Sequence, residues 1–91
     1  MASRLIFLAV IDARISPRMV SLGREKAVRV KGLGSGERLV IVVWSRSGDT
    51  QRVIPLNEGE NTLPSPLARG ELFEVQKTLG GESATTVEVI S

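Results

Sequence analysis

The chain contains no cysteine, no histidine and no tyrosine. Without cysteine there can be no disulfide, and without cysteine or histidine a thiolate or imidazole metal centre is excluded, leaving only hard, oxygen-ligated ions. The same absences remove the usual general base near neutral pH and the most readily activated nucleophile. Acid–base chemistry would fall to carboxylates or lysine, so a non-catalytic protein without a cofactor is expected. Aromatic side chains are limited to Phe7, Trp44 and Phe73. All three sit among apolar neighbours, too few and too buried in sequence for a base-stacking surface, and nucleic acid is not the expected partner. No apolar run approaches the roughly 20 residues that span a bilayer, so no membrane partner is expected. Leu5–Ile11 meets Asp12 at once and lacks a small-residue exit, and it reads as mature chain rather than as a leader.

What is present is a single short domain of 91 residues. A chain of this size buries only about 60–65% of its unfolded surface, and small domains commonly add a disulfide, a metal or a neighbour. With the first excluded and the second restricted, oligomerisation is the remaining staple. The net charge of +2 conceals an asymmetry: residues 1–52 hold ten Lys/Arg against four Asp/Glu, and residues 53–91 hold two against six. Either basic and acidic strands pair within one sheet, or a basic face of one copy meets an acidic face of another.

Glycines recur at roughly ten-residue intervals from Gly23 to Gly81, with Pro17, Pro55, Pro64 and Pro66 between several of them. Between these breaks the residues alternate: Val28 and Val30 against Arg29 and Lys31, Phe73 and Val75 against Glu74 and Gln76, Val87 and Val89 against Thr86 and Glu88. This pattern predicts half-buried strands joined by turns. The expected strands are Leu5–Ile11, Arg18–Leu22, Ala27–Lys31, Arg38–Ser45, Thr50–Leu56, Asn61–Leu63, Glu71–Thr78 and Thr85–Ile90. Pro55 cannot donate to a ladder and places its strand at an edge or a bulge. Ser47–Thr50 and Asn57–Asn61 carry hairpin-turn chemistry, and the Pro-rich stretch Thr62–Leu67 reads as a loop crossing between sheets. Gly32-Leu-Gly-Ser-Gly36 has the composition of a phosphate-cradling loop, but a strand rather than a helix follows it, so a hairpin or bulge is expected. The two carboxylates and two amides of Asn57–Asn61 lack calcium-loop spacing and read as a solvated turn. Leu5–Ile15 has no glycine or proline and could be helical, yet it is apolar at nearly every position and rich in β-branched residues, which favours a strand.

The most informative run is Leu39-Val40-Ile41-Val42-Val43-Trp44, because alternate side chains of a strand point to opposite faces and here both faces are apolar. One cover is expected to be the chain's own second sheet and the other a neighbouring subunit. The fold class is therefore all-β: a single small β-sandwich, immunoglobulin-like or jelly-roll-like, with an N-terminal arm or first strand over residues 1–18 and the sandwich over residues 19–91. The candidate interface residues are Leu5 and Phe7 in the apolar N-terminal segment, the cations Arg14, Arg18 and Arg24 around it, and Trp44 at the end of the two-sided run.

The segments Val28–Leu33, Glu37–Trp44, Leu72–Thr78 and Ala84–Val89 together resemble the strand pattern of immunoglobulin-like and fibronectin-like sandwiches, without the paired cysteines and tyrosine corner. The whole chain, a small cysteine-free all-β unit with an apolar N-terminal segment, resembles the small virion proteins of tailed bacteriophages that decorate or cement the head. The resemblance implies a structural role in the virion, with partners among copies of itself and a major capsid protein, and no chemistry. The alternative is a non-catalytic binding module, a carbohydrate-binding or adhesion-type sandwich.

Overall fold

A computed structural model of the chain describes residues 5–11, 16, 18–79 and 84–91. These form eight strands: β1 (Leu5–Ile11), β2 (Met19–Val20), β3 (Ala27–Lys31), β4 (Arg38–Trp44), β5 (Gln51–Leu56), β6 (Gly59–Thr62), β7 (Leu72–Leu79) and β8 (Thr85–Ile90). They lie in two four-stranded sheets, ordered β1-β8-β3-β6 and β2-β7-β4-β5. Every pairing is antiparallel.

The pairs β1·β8, β2·β7, β3·β6 and β4·β5 together describe one long antiparallel ribbon whose tip is the β4–β5 turn, rolled so that successive pairs alternate between the sheets. That is the strand order of a jelly roll, and of the two sandwich types the sequence admits it is the one formed. Only the β4–β5 turn stays within a sheet. It is closed by Gly48 N–H to the Ser45 carbonyl (2.8 Å) and Ser45 N–H to the Thr50 carbonyl (2.9 Å). Loop 32–36, read from sequence as a hairpin or bulge, and loop 57–58, within the stretch read as a hairpin turn, instead carry the chain from one sheet to the other. The reason is long-range: β3 pairs with β8 and β6, not with β4, and β6 pairs with β3, not with β5. The Pro-rich stretch crosses between sheets as expected, and Pro55 sits in edge strand β5.

The core lies between the sheets. Val28, Val30, Val87 and Val89 of one sheet face Leu39, Ile41, Val43, Leu56, Phe73 and Val75 of the other, and Leu63 and Leu67 close the stack from the crossing loop. Outward positions of β3, β6 and β8 carry paired charges: Arg29 Nη2 lies 3.2 Å from Glu60 Oε1, and Arg29 Nη1 lies 3.4 Å from Glu88 Oε2. Those two pairs, with Arg18–Glu74 and Arg52–Glu71, join the basic half of the chain to the acidic half within one molecule.

The outer face of β4 is the unusual one. Val42 is 2% exposed although it points away from the core, set in register between Val53 and Glu74. Val40 and Trp44 on the same face are half-buried, and Val53 is 53% exposed. The chain therefore covers the centre of this second face itself and leaves the β5 side bare.

Candidate functional site

Arg18 and Trp44, both singled out from sequence, come together. Arg18 lies just before β2 at the position facing Glu74 of β7, on the outer face of the second sheet. Its Cζ is 4.2 Å from the Trp44 ring centroid, and its Nη2 is 3.4 Å from Glu74 Oε1. The Arg18 side chain remains half exposed while the Glu74 carboxylate is nearly buried, so a cation caps an indole and a desolvated acid at once. Arg24 is exposed on the β2–β3 loop, away from that stack. Leu5 and Phe7 lie in β1, an edge strand paired only with β8; their side chains, and Arg14 entirely, are outside the described residues.

Three carboxylates organise the loops: Glu25 and Glu37, which sequence did not single out, and Glu58, read from sequence as part of a solvated turn. Glu25 is fully buried and accepts hydrogen bonds from the Ser21 hydroxyl (2.5 Å), Leu22 N–H (2.9 Å) and Arg24 N–H (3.1 Å). Burial pushes its pKa up, but these bonds together outweigh it and hold the carboxyl below its ordinary value. Glu58 accepts from Leu33 N–H (2.9 Å) and Gly32 N–H (3.3 Å), tying the two sheet-crossing loops together. Asn61 in the same turn donates to the Asn57 carbonyl (2.9 Å), so its amide braces the chain. Glu37 takes Gly34 N–H at 2.6 Å and pairs with Lys77 Nζ at 3.4 Å, both side chains 3% exposed. Period-two alternation puts Lys77 on the inward face with Phe73 and Val75, the one signal that could have flagged this pair.

Among the described residues, clefts open at the surface in at least two places. One, of about 400 Å³, lies beside Glu37 and is lined by Leu33, Leu39, Pro55, Leu56 and Glu58. Another, of about 320 Å³, lies among Val20, Leu22, Arg46, Arg69 and Gly70. Among the described residues no group of three or more acidic side chains is arranged to hold a metal ion. Among the described residues no helix is long and apolar enough to cross a membrane. Among the described residues the surface carries an open sheet edge, an arginine-capped tryptophan and a basic apolar cleft. Comparison with protein families, with curated proteins and with solved structures finds no match.

Proposed function

We propose that the protein is a structural component of a virion, a decoration or cement subunit of a tailed-phage head that works through contacts with copies of itself and with the major capsid protein. The observation that carries this reading is the outer edge of β1. The other three sheet edges are blunted: β2 is two residues long, β5 carries Pro55, and β6 is four residues long with Glu60 and Asn61. β1 has seven residues, Leu-Ile-Phe-Leu-Ala-Val-Ile, without charge, proline or glycine, and its one register shift falls between Leu5 and Phe7 at the start. Among the described residues nothing pairs with its far side. An unguarded apolar edge is a template for strand addition, and natural monomers avoid one.

Eight-stranded jelly rolls recur in viral capsid domains and also in lectins, so the architecture supports the reading without selecting it. A carbohydrate-binding role is the weaker one, because the only tryptophan carries Arg18 over its ring. Sedimentation velocity and thermal melting over a wide dilution series test the assembly. A discrete oligomer that dissociates on dilution, with a falling melting temperature, is expected. A monomer whose melting temperature ignores dilution overturns self-association. Absence of the chain from purified particles of the phage that encodes it overturns the virion placement.

A further inference from the structure

We infer that the cleft among Val20, Leu22, Arg46 and Arg69 docks an acidic, apolar segment of a protein partner. Three connections build it. The β2–β3 loop supplies Ser21 and Leu22 beyond Val20, the β4–β5 turn supplies Arg46, and the β6–β7 loop supplies Arg69 and Gly70. Backbone bonds fix these pieces together: Ser21 N–H donates to the Glu71 carbonyl (2.7 Å) and Gly70 N–H to the Ser21 carbonyl (3.0 Å). Both arginines occupy the second position of a hydrogen-bonded turn, Ser45–Gly48 for Arg46 and Ala68–Glu71 for Arg69. Each guanidinium is therefore carried on a rigid bend.

The chemistry of the lining sets the occupant. Val20 and Leu22 are 58% and 54% exposed, the two most exposed large apolar side chains among the described residues, and both fall in this one cleft. Among the described residues neither Arg46 nor Arg69 has an ion-pair partner. Asp49, three residues from Arg46 in the same turn, makes no ion pair with it, and Glu71, two residues from Arg69, is already taken by Arg52 Nη2 (3.2 Å) and Ala68 N–H (2.7 Å). Free guanidinium groups favour planar carboxylates in bidentate geometry, and the exposed aliphatic pair favours a hydrocarbon side chain between them. A polynucleotide would satisfy the arginines and leave Val20 and Leu22 wet; an acidic peptide with an aliphatic residue satisfies both. The inference uses no residue of β1, so it stands or falls independently of the assembly proposed above.

The test is titration of the isotope-labelled full chain with a synthetic peptide of alternating Glu and Leu, followed by amide chemical shifts. Saturable shifts centred on residues 20–22, 46 and 69–70 are expected. The double reversal Arg46→Glu/Arg69→Glu, at exposed turn positions, is expected to weaken binding by at least about tenfold, with Leu22→Ser also weakening it. Lys31→Glu, an exposed charge reversal outside the cleft, controls for a reversal placed elsewhere on the surface and leaves affinity nearly unchanged. Thermal melts confirm that each variant folds. Shifts elsewhere, no saturation, binding that survives the double reversal, or a loss as large in Lys31→Glu overturns the inference. So does tighter occupation of the same residues by a thymidine oligonucleotide or by phosphatidylglycerol vesicles.

Discussion

The Arg18 guanidinium lies over the indole of Trp44, 4.2 Å from Cζ to the ring centroid, while the same group reaches Glu74 at 3.4 Å. One cation therefore holds β2, β4 and β7 together on the outer face of the second sheet. Arg18→Ala is expected to cost about 0.5–1 kcal/mol, the range for a partly exposed cation–π contact, and to expose the indole. Trp44 emission should shift to the red and become more accessible to iodide. Unchanged emission and quenching would show that the stack is not held in solution.

Glu25 gives a pH dependence with a definite sign. Its folded pKa lies below its ordinary value of 4.5, so the folded state favours the ionised form. That stability is present above the unfolded pKa and is lost as pH falls through the folded one. Glu25→Gln places an amide donor among donors and is expected to destabilise by about 1–3 kcal/mol at neutral pH. Denaturant unfolding across a pH series should show the two proteins converging in acid. Parallel curves down to the acid transition count against this role.

Much of the fold is legible from alternation and punctuation. The spans Leu5–Ile11, Ala27–Lys31 and Thr85–Ile90 are strands with the expected bounds, because a continuous apolar run in the first and an apolar period of two in the others end at a polar or glycine break. The edge position of β5 follows from Pro55. β6 is displaced, since Gly59 and Glu60 have the composition of a turn yet pair with Val30 and Arg29. The sheet-crossing character of loops 32–36 and 57–58 was not legible, because the same glycine and asparagine chemistry bends a hairpin or a crossing. Which sheet receives the next strand depends on partners distant in sequence. For the same reason Arg18 and Trp44 could be named separately but not joined, and Arg46 and Arg69 meet Val20 and Leu22 only through the folding of three loops.

The Glu37–Lys77 pair is fully desolvated, both side chains being 3% exposed. Removing one partner leaves a buried charge, and Lys77→Met is expected to cost about 3–5 kcal/mol. The double variant Glu37→Gln/Lys77→Met removes both charges and keeps an acceptor for Gly34 N–H, so it should recover much of that loss. Chemical denaturation of the single and double variants measures the difference. A double variant no more stable than Lys77→Met alone would argue that contacts other than the charge pair dominate.

Gly32 ends β3 with φ +85°, and a Cβ placed there would stand 2.9 Å from the Ala84 carbonyl oxygen. Gly36, with φ +79°, has nothing within 4 Å of the same point. Gly36→Ala therefore reports only the left-handed backbone, about 1–2 kcal/mol. Gly32→Ala adds a clash with backbone and should be distinctly worse. Equal losses in thermal melts would show that the β8 approach relaxes freely.

The open edge of β1 can be closed by one charge without disturbing the body. Leu8 is paired with Glu88, which already engages Arg29 on the outer side of the first sheet. A lysine at Leu8 therefore gains a carboxylate across the strand pair within its own molecule, and opposite charges directly across are modestly favourable. On the free side the same lysine opposes approach of a second strand, the device by which natural edges stay unpaired. Leu8→Lys is accordingly expected to melt near the wild-type temperature at high dilution while losing the concentration-dependent part of stability and the oligomer in sedimentation velocity. Persistence of the oligomer in a folded Leu8→Lys protein would move the self-contact away from β1, with the bare β5 side of the second sheet, around Val53, as the next surface to block.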